Sequence, residues 1–440
     1  MNPLPLGYLD NQNTYAEQDR QLFHILPHHR RKHMAILGTT GAGKSTLLRN
    51  MIAWDIDSGL GVTVVDPHGD LVEDILANHI PRRRINDVIH FDPKDPERSL
   101  GLNIVEAPRR AQRALVVSNV VSIFKKLWGD SWGPRLEDTL RNALFVLIEQ
   151  PTPVSLLALP RLLTDSAYRE RLLGNVTNPI VLHFFHHTYN QWKDSFREEV
   201  ISPVLNKTRA FLTDPSVRAI IGQPRSSFDF RWMMDHRKIL LADLSKGAIG
   251  EDNARLLGSL IIGKEKLAAL SRADIPEGER VPHVLYVEEA QNFIGDFESI
   301  LSEARKFHLM LVLVTQGIDQ LPPEAAFAVF ANCANLVSFR VSSRDAERLK
   351  QEFATALPAS GLQDQADYRI HVRTLKEEQG GVTRPSGPHL VRTFPPFRRT
   401  PEDADRDRVV RVSKERYTIR RIEVEERIAR FLKVGEHPPG

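Results

Sequence analysis

Hydrophobic positions along the chain change spacing in a way that separates strands from helices. Met34-Ala35-Ile36-Leu37 is a short continuous apolar run and predicts a buried strand. From Thr46 to Ile56 the apolar residues Leu47, Leu48, Met51, Ile52 and Ile56 return at helical spacing. Val62-Thr63-Val64-Val65-Asp66 is β-branched and short, a second strand. Asp66-Pro67-His68-Gly69-Asp70 reads as a turn, Leu71 to Leu76 as a helix and Val88 to Asp92 as a third strand. This β-α-β-α-β rhythm predicts a parallel sheet with helices on both faces.

The rhythm stops near Asn103. As far as Trp232 the spacing is helical, clearest at Leu136, Leu140, Ala143, Leu144 and Leu147. Ala111 to Phe124 and Ser195 to Phe211 behave alike. Strands resume at Lys238–Asp243, Val284–Val287, Leu309–Thr315 and Asn335–Phe339. The economical reading is one α/β domain interrupted by an all-α block. It assigns 1–102 and 235–397 to the two parts of the α/β domain, 103–234 to the helical insert and 398–440 to a charged, helical C-terminal extension. Residues 1–32 hold little pattern, and Pro395-Pro396 marks the exit from the α/β domain.

Composition narrows the class without naming a function. The 440 residues are 41% hydrophobic and 26% charged, an ordinary globular balance. The net charge of +3 is too small to announce a nucleic-acid binder. One cysteine allows no disulfide within a chain, and no apolar run approaches a membrane span. The first 20 residues have no signal-peptide core. The expectation is a cytoplasmic protein with no membrane segment of its own.

The chemistry lies in motifs at strand ends. Gly38-Thr39-Thr40-Gly41-Ala42-Gly43-Lys44-Ser45 fits G-x-x-x-x-G-K-[ST], with a strand before it and a helix, starting near Thr46, after it. Such a loop curls its N–H groups toward phosphate oxygens, and the helix N-terminus adds partial positive charge. Lys44 can reach β- and γ-phosphates and Ser45 can hold Mg²⁺. The strand Val284–Val287 ends in Glu288-Glu289, a Walker B pair: the first supports Mg²⁺, the second activates water. The usual first residue is Asp, and Glu288 is one methylene longer. The strand Leu309–Thr315 ends at Gln316, suited to sensing a γ-phosphate or water. Between them, Phe297, Ile300, Leu301, Ala304 and Phe307 form one helical face, and Glu298, Ser302 and Arg305 another, where Arg305 reads either as a solvated surface charge or as a group reaching a neighbouring subunit's nucleotide.

These motifs, with Asp66-Pro67-His68-Gly69-Asp70, Val287 to Phe293 and Ala304-Arg305-Lys306 through Thr315-Gln316, resemble the HerA/FtsK-type RecA-like motor ATPases. Within that group they are most similar to soluble TraG/TraD-like type IV secretion coupling ATPases. Gly133 to Glu137, Pro203 to Lys207 and Asp243 to Gly247 also resemble the group's sequences. The resemblance covers Leu26 to Leu432 and implies an α/β RecA-like P-loop NTPase with a mainly parallel central sheet and an inserted all-α domain. It implies ATP and Mg²⁺ as cofactors, a homohexameric ring, and ATP hydrolysis between subunits that drives DNA translocation without sequence preference. Gly38 through Thr46 would bind ATP, with Ser45 and Glu288 at the metal and Lys44, Glu289 and Gln316 in catalysis. Arg305 falls where such enzymes keep a trans arginine finger, with Arg340 and Arg344 as alternatives. Relatives commonly carry Asp-Glu where this chain has Glu288-Glu289. Docking at a membrane or joining a nuclease would need a partner supplied in trans.

The DNA surface is not legible residue by residue. Arg109-Arg110-Arg113, Lys125-Lys126 and Lys207-Arg209 are candidates that also read as solvated helix faces. His28, His29 and His33 lack a nearby carboxylate or cysteine in the sequence, so surface or structural roles are expected. His183, His186 and His187 have ligand-like spacing without an accompanying motif, and Cys333 reads as core. Two other functions stay open. One is a nucleotide-gated oligomeric assembly or DNA-binding protein with slow hydrolysis. The other is a small-molecule P-loop kinase.

Overall fold

The computed structural model describes residues 1–10, 21–293, 297–353, 357–378 and 383–433. Its strands are β1 (Leu4–Leu9), β2 (Leu22–Ile25), β3 (Met34–Leu37), β4 (Gly61–Asp66), β5 (Val88–Phe91), β6 (Arg98–Leu100), β7 (Ile239–Asp243), β8 (His283–Val287), β9 (Leu309–Thr315), β10 (Asn335–Ser338), β11 (Arg369–Glu377), β12 (Thr383–Thr393) and β13 (Thr418–Arg420). Eleven of them form one sheet, ordered β2-β1-β12-β11-β10-β3-β9-β8-β4-β7-β5. From β10 to β5 every neighbour is parallel. The fold is therefore α/β and RecA-like, with a mainly parallel central sheet.

Parallel strands need covered faces, and the side chains alternate accordingly. Ile36, Val62, Val64, Leu241, Val284, Tyr286, Val312 and Val337 share one core with Leu47, Leu48, Met51 and Ile52 of the helix Lys44–Asp57. Leu71, Val72, Ile75 and Leu76 of the helix Asp70–Asn78 join the same core.

A buried ionic cluster ties this layer together. Both guanidinium nitrogens of Arg30, in the short helix Pro27–Arg30, donate to Asp55 at 2.6 Å. The Tyr286 hydroxyl donates to the same carboxylate at 2.6 Å. Arg30 is 3% exposed, and Asp55 and Tyr286 are fully buried. Burial works against the Arg30 charge, yet Asp55 raises its pKa overall; burial, followed by the Asp55 charge, raises Tyr286 well above its ordinary value.

The antiparallel strands were not visible in the sequence. β1 lies between β2 and β12. Its register with β2 shifts between Pro5 and Gly7, an irregularity that lets a proline sit inside a sheet and hides the strand's period. β11 and β12 pair along nearly their whole length.

The chain divides into two compact units. One comprises Met1–Phe91, Phe230–Ser245 and Ala268–Ser413; the other comprises Asp92–Asp229, Lys246–Leu267 and the chain from Lys414 on. The second unit is mainly helical, built around Arg113–Leu127, Pro134–Ile148 and Asp194–Leu212. The stretch predicted as one extension over 398–440 is divided between the units. The reason is local pairing: β13 runs antiparallel to β6, and Arg218 holds Glu425 at 3.0 Å.

His33 sits just before β3 with φ 58°, and its Nδ1 accepts the Leu311 amide at 3.1 Å. Burial, with the nearby Arg305 charge, pushes its pKa down to about 4. The folded form thus stays neutral where the unfolded imidazole, near 6.5, takes a proton. Its contribution is complete above about pH 6.5 and is lost as pH falls toward about 4. His33→Gln should flatten the acid limb of a stability–pH profile measured by urea unfolding. Arg30→Met should destabilise the fold by about 3–5 kcal/mol by orphaning Asp55, and pairing it with Asp55→Leu should recover most of that loss.

Candidate functional site

In an open parallel sheet, chemistry collects beyond the carboxyl ends of the strands. Four motifs arrive there on β3, β4, β8 and β9. One strand, β9, separates β3 from β8, so the loop after β3 and the acidic pair after β8 stand about 10 Å apart at the backbone. Long side chains close that gap.

The loop Gly38–Ser45 is braced from outside. The Thr39 amide donates to the Arg340 carbonyl at 2.8 Å, and the Tyr368 amide donates to the Ala42 carbonyl at 3.0 Å. Gly43 begins the helix at φ 113°, and a Cβ there would lie 2.9 Å from the Tyr368 ring. A Cβ on Gly38 would lie 2.5 Å from the Phe339 Cβ. Around Gly41, in contrast, nothing stands within 4 Å of a Cβ position, and Thr40, Gly41 and Ser45 face solvent. The mouth of the loop is open while its back is packed. Thr46 is half-buried in the first helical turn.

Lys44 is 8% exposed and donates to the carbonyls of Gly38 at 2.5 Å and Thr39 at 3.0 Å. Burial lowers its pKa, and the charges of Glu289 and Glu288 counter that. Ser45 Oγ donates to Glu288 Oε1 at 3.3 Å, joining loop and acidic strand. Glu288 is pushed up to about 8, first by burial and then by Asp66, whose carboxylate is fully buried at the end of β4. Asp66 also accepts the amides of Leu71 and Val72 at 3.0 and 3.1 Å, capping the helix Asp70–Asn78. The sequence places it at a strand end and in the following turn, without a site role. Its signal was the one used for Glu288, a carboxylate at the end of a β-branched strand.

Glu289 adopts the left-handed region at φ 47°, a conformation that costs about 1 kcal/mol or more outside glycine. It accepts both Gln316 Nε2 contacts at 3.3 Å and a hydrogen bond from Gln291 Nε2. Lys44, Ser45, Glu288, Glu289 and Gln316 are thus brought together.

Arg305 is not. It is exposed in the turn Ala304–Phe307 before β9, at the amino-terminal edge of the sheet, where its charge acts on Lys32 and His33. The seven residues of β9 separate it from the Gln316 edge by roughly 20 Å. Arg340 stands on the loop's side of the sheet, paired with Asp367 at 3.1 Å, and Arg344 is exposed. Of the basic candidates in the helical unit, Lys125 pairs with Glu137 and Lys207 lies over the Trp128 ring. His183, His186 and His187 are exposed, and Cys333 is buried as expected.

The family profile described as "Helicase HerA, central domain" matches residues 29–262, more than half of the chain. The chain belongs to the HerA helicase central-domain family. It is a P-loop ATPase of the HerA/FtsK type by that membership. The fold is also that of the plasmid coupling protein TrwB in complex with ADP and Mg²⁺, at 17% identity and a TM-score of 0.59 over 87% of this chain and 90% of that one. The unbound conjugative coupling protein TrwB gives 16% identity and a TM-score of 0.57, covering 87% and 89%. VirB4 of Thermoanaerobacter pseudethanolicus gives 15% identity and a TM-score of 0.53, covering 91% and 97%. No curated protein matches by sequence. Among the described residues no helix is long and apolar enough to cross a membrane.

For this HerA-family chain the donor set is informative. Ser45 Oγ, Glu288 and the neighbouring Asp66 are all hard oxygen donors, which suits Mg²⁺. Burial, and then the Asp66 charge, raises the Glu288 pKa, and a bound cation would offset the second of these. Glu288 takes its proton more readily folded than unfolded, so its contribution to stability falls as pH rises from about 4.5 to about 8. Without Mg²⁺ and nucleotide, the wild-type melting temperature should therefore drop more than that of Glu288→Gln between these pH values. Mg²⁺ should reduce that difference.

Proposed function

We propose that this chain is an ATP-hydrolysing DNA translocase of the HerA or conjugative-coupling type, working as a homohexameric ring with active sites between subunits. The observation that carries the reading is the convergence of Lys44, Ser45, Glu288, Glu289 and Gln316 at one sheet edge, combined with Arg305 at the opposite edge. An arginine about 20 Å from its own loop is out of reach of its own nucleotide, so a catalytic role for it requires a neighbouring subunit, as in a ring.

In this reading Gly38 through Thr46 cradle the phosphates through backbone N–H groups, and Lys44 releases its carbonyl partners to reach them. Ser45 and Glu288 would hold Mg²⁺, which when bound supplies charge neutralisation at the β- and γ-phosphates. Glu289 accepts a proton from the attacking water, and Gln316, already bonded to Glu289, orients that water. A cleft of about 400 Å³ lined by Tyr8, Tyr368, Arg392, Phe394 and Pro395 shares the Tyr368 ring with the packing at Gly43 and would seat the base against aromatic rings. TrwB forms complexes with ADP and Mg²⁺ and with a non-hydrolysable ATP analogue, which supports the same cofactors here. DNA contacts would be to phosphates and therefore salt-dependent. The place of work would be the cytoplasm, with any membrane-bound or nuclease partner supplied in trans.

A slower machine is the second reading, favoured by Glu288 itself. Its side chain is one methylene longer than the usual Asp, and Mg²⁺ tolerates little distortion of its octahedron, so nucleotide would gate assembly more than drive turnover. Turnover decides between them. Lys44→Ala should abolish DNA-stimulated phosphate release. Glu289→Gln should lower kcat by about 10²–10⁴ with nucleotide affinity retained. Arg305→Ala should lower it by about 10³ or more, and mixing it with Lys44→Ala subunits should restore part of the activity. Absence of that complementation would argue against shared sites. DNA-independent, negligible hydrolysis with ATP-dependent assembly would favour the slower machine.

A further inference from the structure

We infer that His28, His29 and Glu377 form a transition-metal site of the zinc class at the amino-terminal edge of the sheet. The three residues lie far apart in sequence but each offers one ligand atom, and these atoms all lie within 4.8 Å of one another. His28 Nε2 is 2.7 Å from Glu377 Oε1. The two imidazoles meet edge to face at 4.2 Å between centroids. The deciding feature is His29. It is 2% exposed, and its buried Nε2 makes no hydrogen bond. An unsatisfied buried nitrogen is costly and uncommon, and a metal ion gives it a partner.

The frame is already set. Asn335 Nδ2 donates to the carbonyls of His29 at 2.9 Å and His33 at 2.8 Å. Arg30, next in the chain, is locked onto Asp55. Glu377 ends β11, opposite Thr383 of β12. The side chains of His28 and Glu377 are about half exposed, at 48% and 56%, so an ion reaches the site from solvent without opening the fold. Two imidazole nitrogens and one carboxylate oxygen suit Zn²⁺, with water as a fourth ligand. The hard donors near Ser45 and Glu288 suit Mg²⁺ instead. Binding would displace the contact between His28 Nε2 and Glu377 Oε1. Lys32, bonded through Nζ to Thr383 at 3.2 Å, is a nearby like charge that reduces affinity. A second cluster, Glu73, His90 and Asp243, is less suitable because Arg406 already holds both Glu73 oxygens at 2.7 and 2.9 Å.

Far from the nucleotide loop, the ion would act as a clip. It would fasten the β11–β12 hairpin to the segment entering β3, independently of the hydrolytic reading. The test uses the full chain, stripped with chelator and then kept in excess Mg²⁺ so that oxygen-donor sites are filled. Zn²⁺ is titrated by calorimetry and Co²⁺ by visible absorption. About one Zn²⁺ per chain, four-coordinate Co²⁺ bands and a Zn²⁺-dependent rise in melting temperature are expected. His28→Ala and Glu377→Gln, both at exposed positions, should each weaken Zn²⁺ by more than about tenfold and leave the metal-free melting temperature unchanged. His29→Gln should lose binding as well. Failure of the wild type to bind Zn²⁺ in the micromolar range would overturn the proposal. So would unchanged affinity in both exposed variants, or a loss of affinity that follows His183→Ala and His187→Ala instead.

Discussion

The buried Arg30–Asp55–Tyr286 cluster is the constraint on which the rest of the α/β unit depends. Asp55 lies near the end of the helix that begins at the phosphate-loop motif, and Tyr286 lies on the strand that ends in the acidic pair. One carboxylate accepts from both Arg30 and Tyr286 at 2.6 Å. The helix end remote from the phosphate loop is therefore fixed against the strand that carries the acidic pair. A buried ion pair is a poor source of net stability, so its value here lies in specifying one arrangement among several of similar apolar content. With that end fixed, small rotations of the helix would carry Ser45 away from Glu288, which it meets at 3.3 Å.

Where the start of that helix meets the strand ends, the electrostatics are left unbalanced. Asp66, Glu288 and Glu289 are all buried at neighbouring strand ends, against one buried ammonium, Lys44. The effect is visible in opposite directions: burial and Asp66 raise Glu288, and burial lowers Lys44. Asp66 is tolerated because backbone amides of the following helix bind it. Glu289 is held in a strained conformation with Gln316 on its oxygens. Packing thus supports a site whose charges call for ligands, and the remote ionic anchor provides the rigidity that such a site needs.

Much of the parallel sheet was legible because each of its strands carries its own signal. Continuous apolar runs such as Leu309–Val314 report burial on both faces, and residues at their ends report the chemical edge. The antiparallel strands were not legible. Pro5 and Gly7 in β1, and Pro385, Gly387 and Pro388 in β12, obscure the period, and these strands are specified by their partners. The same limit explains Asp66, whose strand-end position is legible but whose place beside Glu288 follows only from the pairing of β4 with β8. It also explains His29, whose carboxylate neighbour comes from the far end of the chain.

The sequence by itself determined the phosphate loop, the acidic pair, the glutamine at the next strand end and the parallel character of the sheet, because local spacing and strand-end chemistry are properties of short segments. Tertiary structure alone decided which carboxylates share a site, where Arg305 stands relative to its own loop, and how His28 and His29 meet Glu377. Those are distances between segments remote in sequence, set by strand order and by buried contacts such as Arg30–Asp55, and no local pattern encodes them.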